Sequence, residues 1–68
     1  MTKKRIDRAI KHLNMEIIKY AGYSIFTDLT TGHQIGEMVC VCYLKQLTLE
    51  QWVEEAKASK EEEEELAL

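Results

Sequence analysis

Apolar positions in the first third of the chain recur at helical spacing. At about 100° per residue, Ile6, Ala9, Ile10, Leu13, Ile17, Tyr20 and Ala21 share one face, while Lys4, Arg8, Lys11 and Lys19 share the opposite one. The spacing predicts a helix over residues 3–21. Thr2 stands where an N-cap hydroxyl would accept from a first-turn amide, and Gly22 where a left-handed residue would end the last turn. Met15 and Ile18 interrupt the polar side of this helix, Met15 almost opposite the apolar stripe and Ile18 on its flank. Apolar residues set among bases on an outward face point to a second contact surface.

The period then changes to two. Tyr23–Leu29 and Gln34–Leu44 are β-rich alternating segments around Asp28-Leu29-Thr30-Thr31-Gly32-His33, a bend with Asp to bind its amides and Gly to close it. Two registers fit. A three-residue loop pairs Ile25 and Thr27 with Glu37 and Ile35; a four-residue loop sets Phe26 against Ile35. The second is favoured, because it stacks two large apolar side chains. A one-residue slip would exchange the buried and exposed faces.

Thr48-Leu49-Glu50-Gln51 has the form of a capping box and opens a second helix with Leu49, Trp52, Val53 and Ala56 on one face. The stripe stops at Ala56, and the adjacent like charges of Glu61–Glu65 repel one another. Fraying is expected from about residue 60. The expected fold class is α+β: a helix–β-hairpin–helix (αββα) domain over residues 1–60, followed by an acidic, disordered tail over 61–68. Two antiparallel helices would cover one face of a two-stranded antiparallel sheet.

Length sharpens this picture. A chain of 68 residues is one domain, and one so short hides only about 60% of the surface its unfolded form exposes. Homodimerisation is the natural supplement. Charge is sorted by end: residues 1–12 sum to +4 and residues 48–68 to −6, within a net −3. With antiparallel helices the basic start of the first would lie against the acidic end of the second. The wholly apolar runs are far shorter than a membrane span, and no signal-peptide pattern follows the basic start, so a cytoplasmic protein without a membrane partner is expected.

Candidate chemistry is sparse. Cys40-Val41-Cys42 would place both thiols on one strand face about 6.5–7 Å apart, too far for easy bonding to each other. With only His12 and His33 in addition, no zinc-ligand spacing emerges, although a symmetric dimer could assemble four thiolates. The cysteines read as small core residues, and neither metal nor cofactor is expected. Cys42 with His33, or Ser24 with His33 and Asp28, lacks the sequence context of an activated nucleophile, and Gly22, Gly32 and Gly36 have no nucleotide-binding spacing. No enzyme is expected.

The resulting expectation is a small protein-interaction module, a homodimeric regulator or inhibitor of a larger protein. Met15, Ile18, Lys4, Arg8, Lys11 and Lys19 are its partner-binding residues. In style it resembles the short, charge-polarised accessory proteins of bacteriophages, including those that block host defences. The alternative is a nucleic-acid-binding accessory protein using the basic stripe, against which the net negative charge counts.

Overall fold

The computed structural model describes residues 2–67. Thr2 caps the first helix, α1 (Lys3–Ile10), its hydroxyl accepting from the Arg5 amide at 3.3 Å. The helix is much shorter than residues 3–21. A 3-10 turn over Lys11–Leu13 tightens its end, and Asn14 then takes φ 59° and ψ 42°. Asparagine is the residue besides glycine that most readily adopts this left-handed conformation. Its side chain is held by Thr30, with Nδ2 donating to Oγ1 at 2.9 Å. Beyond Asn14 the chain is extended.

Met15–Tyr20 is therefore strand β1, not helix, and it pairs antiparallel with β2 (Tyr23–Asp28) from Met15↔Asp28 to Tyr20↔Tyr23. Gly22, at φ 81°, turns this hairpin and does not cap a helix. β3 (Gln34–Val39) pairs with β2 through Phe26↔Ile35 and Thr27↔Gln34, the register of the four-residue loop. The sheet is thus three-stranded, in the order β1-β2-β3, where the sequence pattern indicated two strands. In the β2–β3 loop, the Asp28 carboxylate accepts from the amides of Thr31 and Thr30 at 3.0 and 2.7 Å. These bonds hold its carboxyl below the ordinary Asp range.

The third strand also changes the parity of the fold. Each strand reverses the chain, so an odd number returns the second helix, α2 (Leu49–Ala67), in the sense of the first. Leu13, at the trailing end of α1, accordingly meets α2 at Lys57, Lys60, Glu61 and Glu64, and Lys60 Nζ donates to the Leu13 carbonyl at 2.6 Å. The antiparallel arrangement, with the basic start of α1 on the acidic run, does not occur. The capping box at the head of α2 is formed, Thr48 Oγ1 accepting from Gln51 N at 3.1 Å and Gln51 Oε1 from Thr48 N at 2.8 Å. The glutamates extend this helix to Ala67 instead of fraying it. Glutamate is a good helix former, and adding residues to an existing helix costs far less than starting one. Leu68, the end of the expected tail, lies outside the described residues.

Both helices bury their apolar sides on one face of the sheet. Ile6 and Ile10 from α1, Met15 and Ile17 from β1, Phe26, Ile35, and Trp52 and Ala56 from α2 form the core. Met15 is therefore a core residue, 1% exposed. Its place opposite the helical stripe came from assigning a helical period to a strand. Trp52 meets Phe26 edge-to-face at 6.1 Å, and its indole Nε1 donates to the Leu44 carbonyl at 2.7 Å.

The approach of α2 to β3 is closest at Gly36. Opposite Ile25, β3 carries Gly36, Glu37 and Met38, a bulge, with Gly36 at φ 70°. A Cβ at Gly36 would lie 2.7 Å from Ser59 Cβ and 3.1 Å from Ser59 Cα. Positive φ and contact with helix backbone both demand glycine there.

Two outcomes follow for stability. Gly36→Ala is expected to cost about 2–4 kcal/mol, combining left-handed strain with overpacking. A urea midpoint unchanged from wild type would show that β3 and α2 are not in this contact. Trp52→Ala is expected to lose about 3–5 kcal/mol, enough to abolish cooperative unfolding in so small a domain; a near-wild-type transition would exclude Trp52 from the core.

Candidate interaction site

The sheet has a second face. Alternation along the paired strands places Ile18 and Tyr20 of β1, and Tyr23, Ile25 and Thr27 of β2, opposite the helices. Ile18 and Ile25 are direct cross-strand partners and half-buried. Tyr20 and Tyr23 stack with ring centroids 5.0 Å apart, and Tyr20 is 44% exposed. Only Glu16 brings charge to the paired positions of this face, at its far end, within 3.4 Å of Lys3 Nζ. Across β1 and β2 this surface carries little charge in a chain with 31% charged residues; Thr27 is buried at 4% exposure, and Glu37 stands exposed in the bulge of β3 beside it. Of the two apolar residues singled out for contact, Ile18 lies on this face and Met15 does not.

The sheet edges are guarded. The Asp7 carboxylate accepts from the outward amide of Ile17 at 2.8 Å, filling a ladder position on β1 that another strand would use. Its other oxygen accepts from Lys3 Nζ at 2.5 Å. These bonds, with Glu16 nearby, hold the lysine's pKa above its ordinary value, the Asp7 hydrogen bond being the main cause. On the other side β3 is bulged against α2, and Gln34 Nε2 donates to the Gly36 carbonyl at 3.1 Å.

The basic residues divide. Lys4, Arg8 and Lys11 are exposed and line one groove between α1 and the β1 side of the sheet, with Leu29 across from them. Lys19 sits on β1 instead, paired across to Ser24, its ammonium donating to the Tyr20 carbonyl. The four-cation stripe was a product of extending the helix to residue 21. Among the described residues, the ion pairs are Lys3–Asp7, Lys3–Glu16 and Lys57–Glu54, so no carboxylate closes on Lys4, Arg8 or Lys11.

The other candidate groups stand apart. Ser24 is fully buried on the helix side of β2, four residues or about 13 Å along the strand from Asp28. His33 is exposed in the loop. Cys40 and Cys42 are free and exposed, beyond the end of β3 at Val39, so they are not the core residues expected. Among the described residues no three His, Cys, Asp or Glu side chains gather as a metal site. No described helix is long and apolar enough to cross a membrane.

Sequence reasoning missed Tyr20, Tyr23 and Ile25 as surface residues because it placed Tyr20 on a helix stripe and Tyr23 and Ile25 in a hairpin with no β1 beside it. The available signal was the pair Ile17-Ile18: adjacent β-branched residues suit a strand. Comparison of the chain with protein-family models, curated proteins and solved structures finds no match in any of the three.

The edge guard is testable. Asp7→Ala leaves the Ile17 amide without its charged acceptor, and is expected to cost about 1.5–3 kcal/mol and to raise light scattering on heating as the β1 edge opens. Unchanged stability and scattering would mean that Asp7 does not protect the edge.

Proposed function

We propose that this protein is a non-enzymatic interaction module, a homodimer whose two copies meet through the open sheet face and which regulates or inhibits a larger protein. The observation that carries the reading is the apolar face of Ile18, Tyr20, Tyr23 and Ile25 on a sheet whose β1 edge has its Ile17 amide capped by Asp7 and whose β3 edge is bulged. A guarded edge disfavours strand addition, which leaves face-to-face packing. In an isologous contact the same patch meets itself, so a charged face would meet its own charge. This face avoids that repulsion, whereas α1 and the acidic end of α2 would not.

Size sets the strength. Strands of six residues in three rows present roughly 14 by 20 Å. Two such faces amount to about 560 Å² in projection, well short of the roughly 1,000 Å² that a specific, stable interface clears. The dimer is therefore weak and reversible, suited to exchange.

The second reading, a nucleic-acid-binding accessory protein, rests on Lys4, Arg8 and Lys11, which have no ion-pair partner among the described residues. It is weakened by the loss of Lys19 from that surface and by Asp7 and Glu16 in the same groove.

Sedimentation velocity on the full chain tests the dimer. Wild type is expected to move from 7.9 kDa toward twice that mass as concentration rises, while an Ile18→Asp, Tyr20→Asp variant that still melts cooperatively stays monomeric. A wild-type protein that remains monomeric throughout, or a variant that associates equally, would contradict the reading.

A further inference from the structure

We propose that the groove between α1 and the β1 side of the sheet binds an acidic segment of a partner protein that also carries apolar side chains. This surface adjoins the sheet face at Glu16, but its occupation does not depend on a second copy covering that face. The partner segment is the element through which the module would reach its target, so the proposal rests on the protein-interaction reading and adds the ligand's chemistry.

The charge balance of the groove supports it. Asp7 and Glu16 lie in its wall, but both Asp7 oxygens are engaged and Glu16 Oε2 faces Lys3 Nζ at 3.4 Å. Asp7 accepts from Ile17 N and Lys3 Nζ, and Glu16 from Lys3 Nζ. Lys4, Arg8 and Lys11 have no such partner among the described residues. They stand at i, i+4 and i+7, so their positions span about 10 Å along the axis at 1.5 Å per residue. An extended peptide with carboxylates on alternate residues repeats every 6.5–7 Å or so and meets cations over that span. The chain's own acidic run does not fill the groove, because α2 places Glu61, Glu63 and Glu64 beside Leu13 and the β2–β3 loop.

The apolar side of the groove separates peptide from nucleic acid. Leu29 lines it while remaining 46% exposed, and offers an apolar seat directly across from the cations. Among the described residues no aromatic side chain on which a base could stack lines the groove, and stacking supplies much of single-strand affinity. A leucine seat flanked by cations matches an acidic peptide bearing Leu or Ile better than it matches a phosphate chain.

Fluorescence anisotropy with the full-length protein tests this. The probes are a labelled decapeptide alternating glutamate and leucine, a decaglutamate, and a ten-nucleotide single-stranded DNA. The alternating peptide is expected to bind most tightly. Lys4→Glu, Arg8→Glu, Lys11→Glu should weaken it more than tenfold and Leu29→Ser severalfold, while Ile18→Asp leaves it unchanged. Raising salt should reduce the affinity without abolishing it. Tighter binding of DNA, with Leu29→Ser silent, would overturn the proposal in favour of nucleic acid. Loss of peptide binding in Ile18→Asp would place the peptide on the sheet face and overturn the groove while leaving the interaction reading intact. Binding of none of the probes would overturn it outright.

Discussion

The structure depends on Trp52 reaching across from α2 to the sheet. Its indole is fully buried against Phe26 and tied by its N–H to the carbonyl of Leu44, so one side chain joins α2, the segment before it and the central strand. A chain of this length has few such contacts to spare. Burying Trp52 requires α2 to lie flush on β3, which Gly36 permits by offering Ser59 no Cβ. Both helices are then committed to the same sheet face, and neither covers the other face.

That asymmetry connects packing to function. The core takes Ile17, Phe26 and Ile35 on one side of the sheet, and strand alternation hands Ile18, Ile25 and the Tyr20–Tyr23 stack to the other. The edges are treated oppositely: Asp7 occupies the β1 amide and the bulge turns β3 toward α2. Guarded edges beside an unguarded face favour a closed pair over an open-ended array. The charges sorted to the two ends of the sequence do not neutralise each other within the chain, because three strands bring the wrong end of α1 to the acidic run. Lys4, Arg8 and Lys11 are thereby left without an ion-pair partner among the described residues.

Much of the fold was legible wherever a local signal had one reading. Thr2, the Thr48–Gln51 box, the Asp28–His33 loop and the Phe26–Ile35 register all appear where residue chemistry placed them. The stretch Met15–Ala21 misled because Ile17, Tyr20 and Ala21 continue the helical stripe of the residues before them. The arbiters were Asn14, able to end a helix as Gly22 can, and the β-branched neighbours Ile17 and Ile18. Met15 and Ile18 standing on the polar side of the supposed helix were a symptom of the wrong period. From that one error came the missing strand, the reversed helix direction and the misplaced Lys19. The Ile18–Ile25 and Tyr20–Tyr23 pairs of the sheet face were illegible for the same reason, since they form only once β1 joins β2. The basic set survived in part, because Lys4, Arg8 and Lys11 precede Asn14.

The most direct test of the account is hydroxyl-radical footprinting of the aromatic side chains across a range of protein concentrations. Phe26 and Trp52 should be protected throughout, and Tyr43, 63% exposed, reactive throughout. Tyr20 and Tyr23 should be reactive at low concentration and become protected as concentration rises. Tyrosines on the sheet face that stay equally reactive at every concentration would contradict the claim that this face is where the molecule finds its second copy.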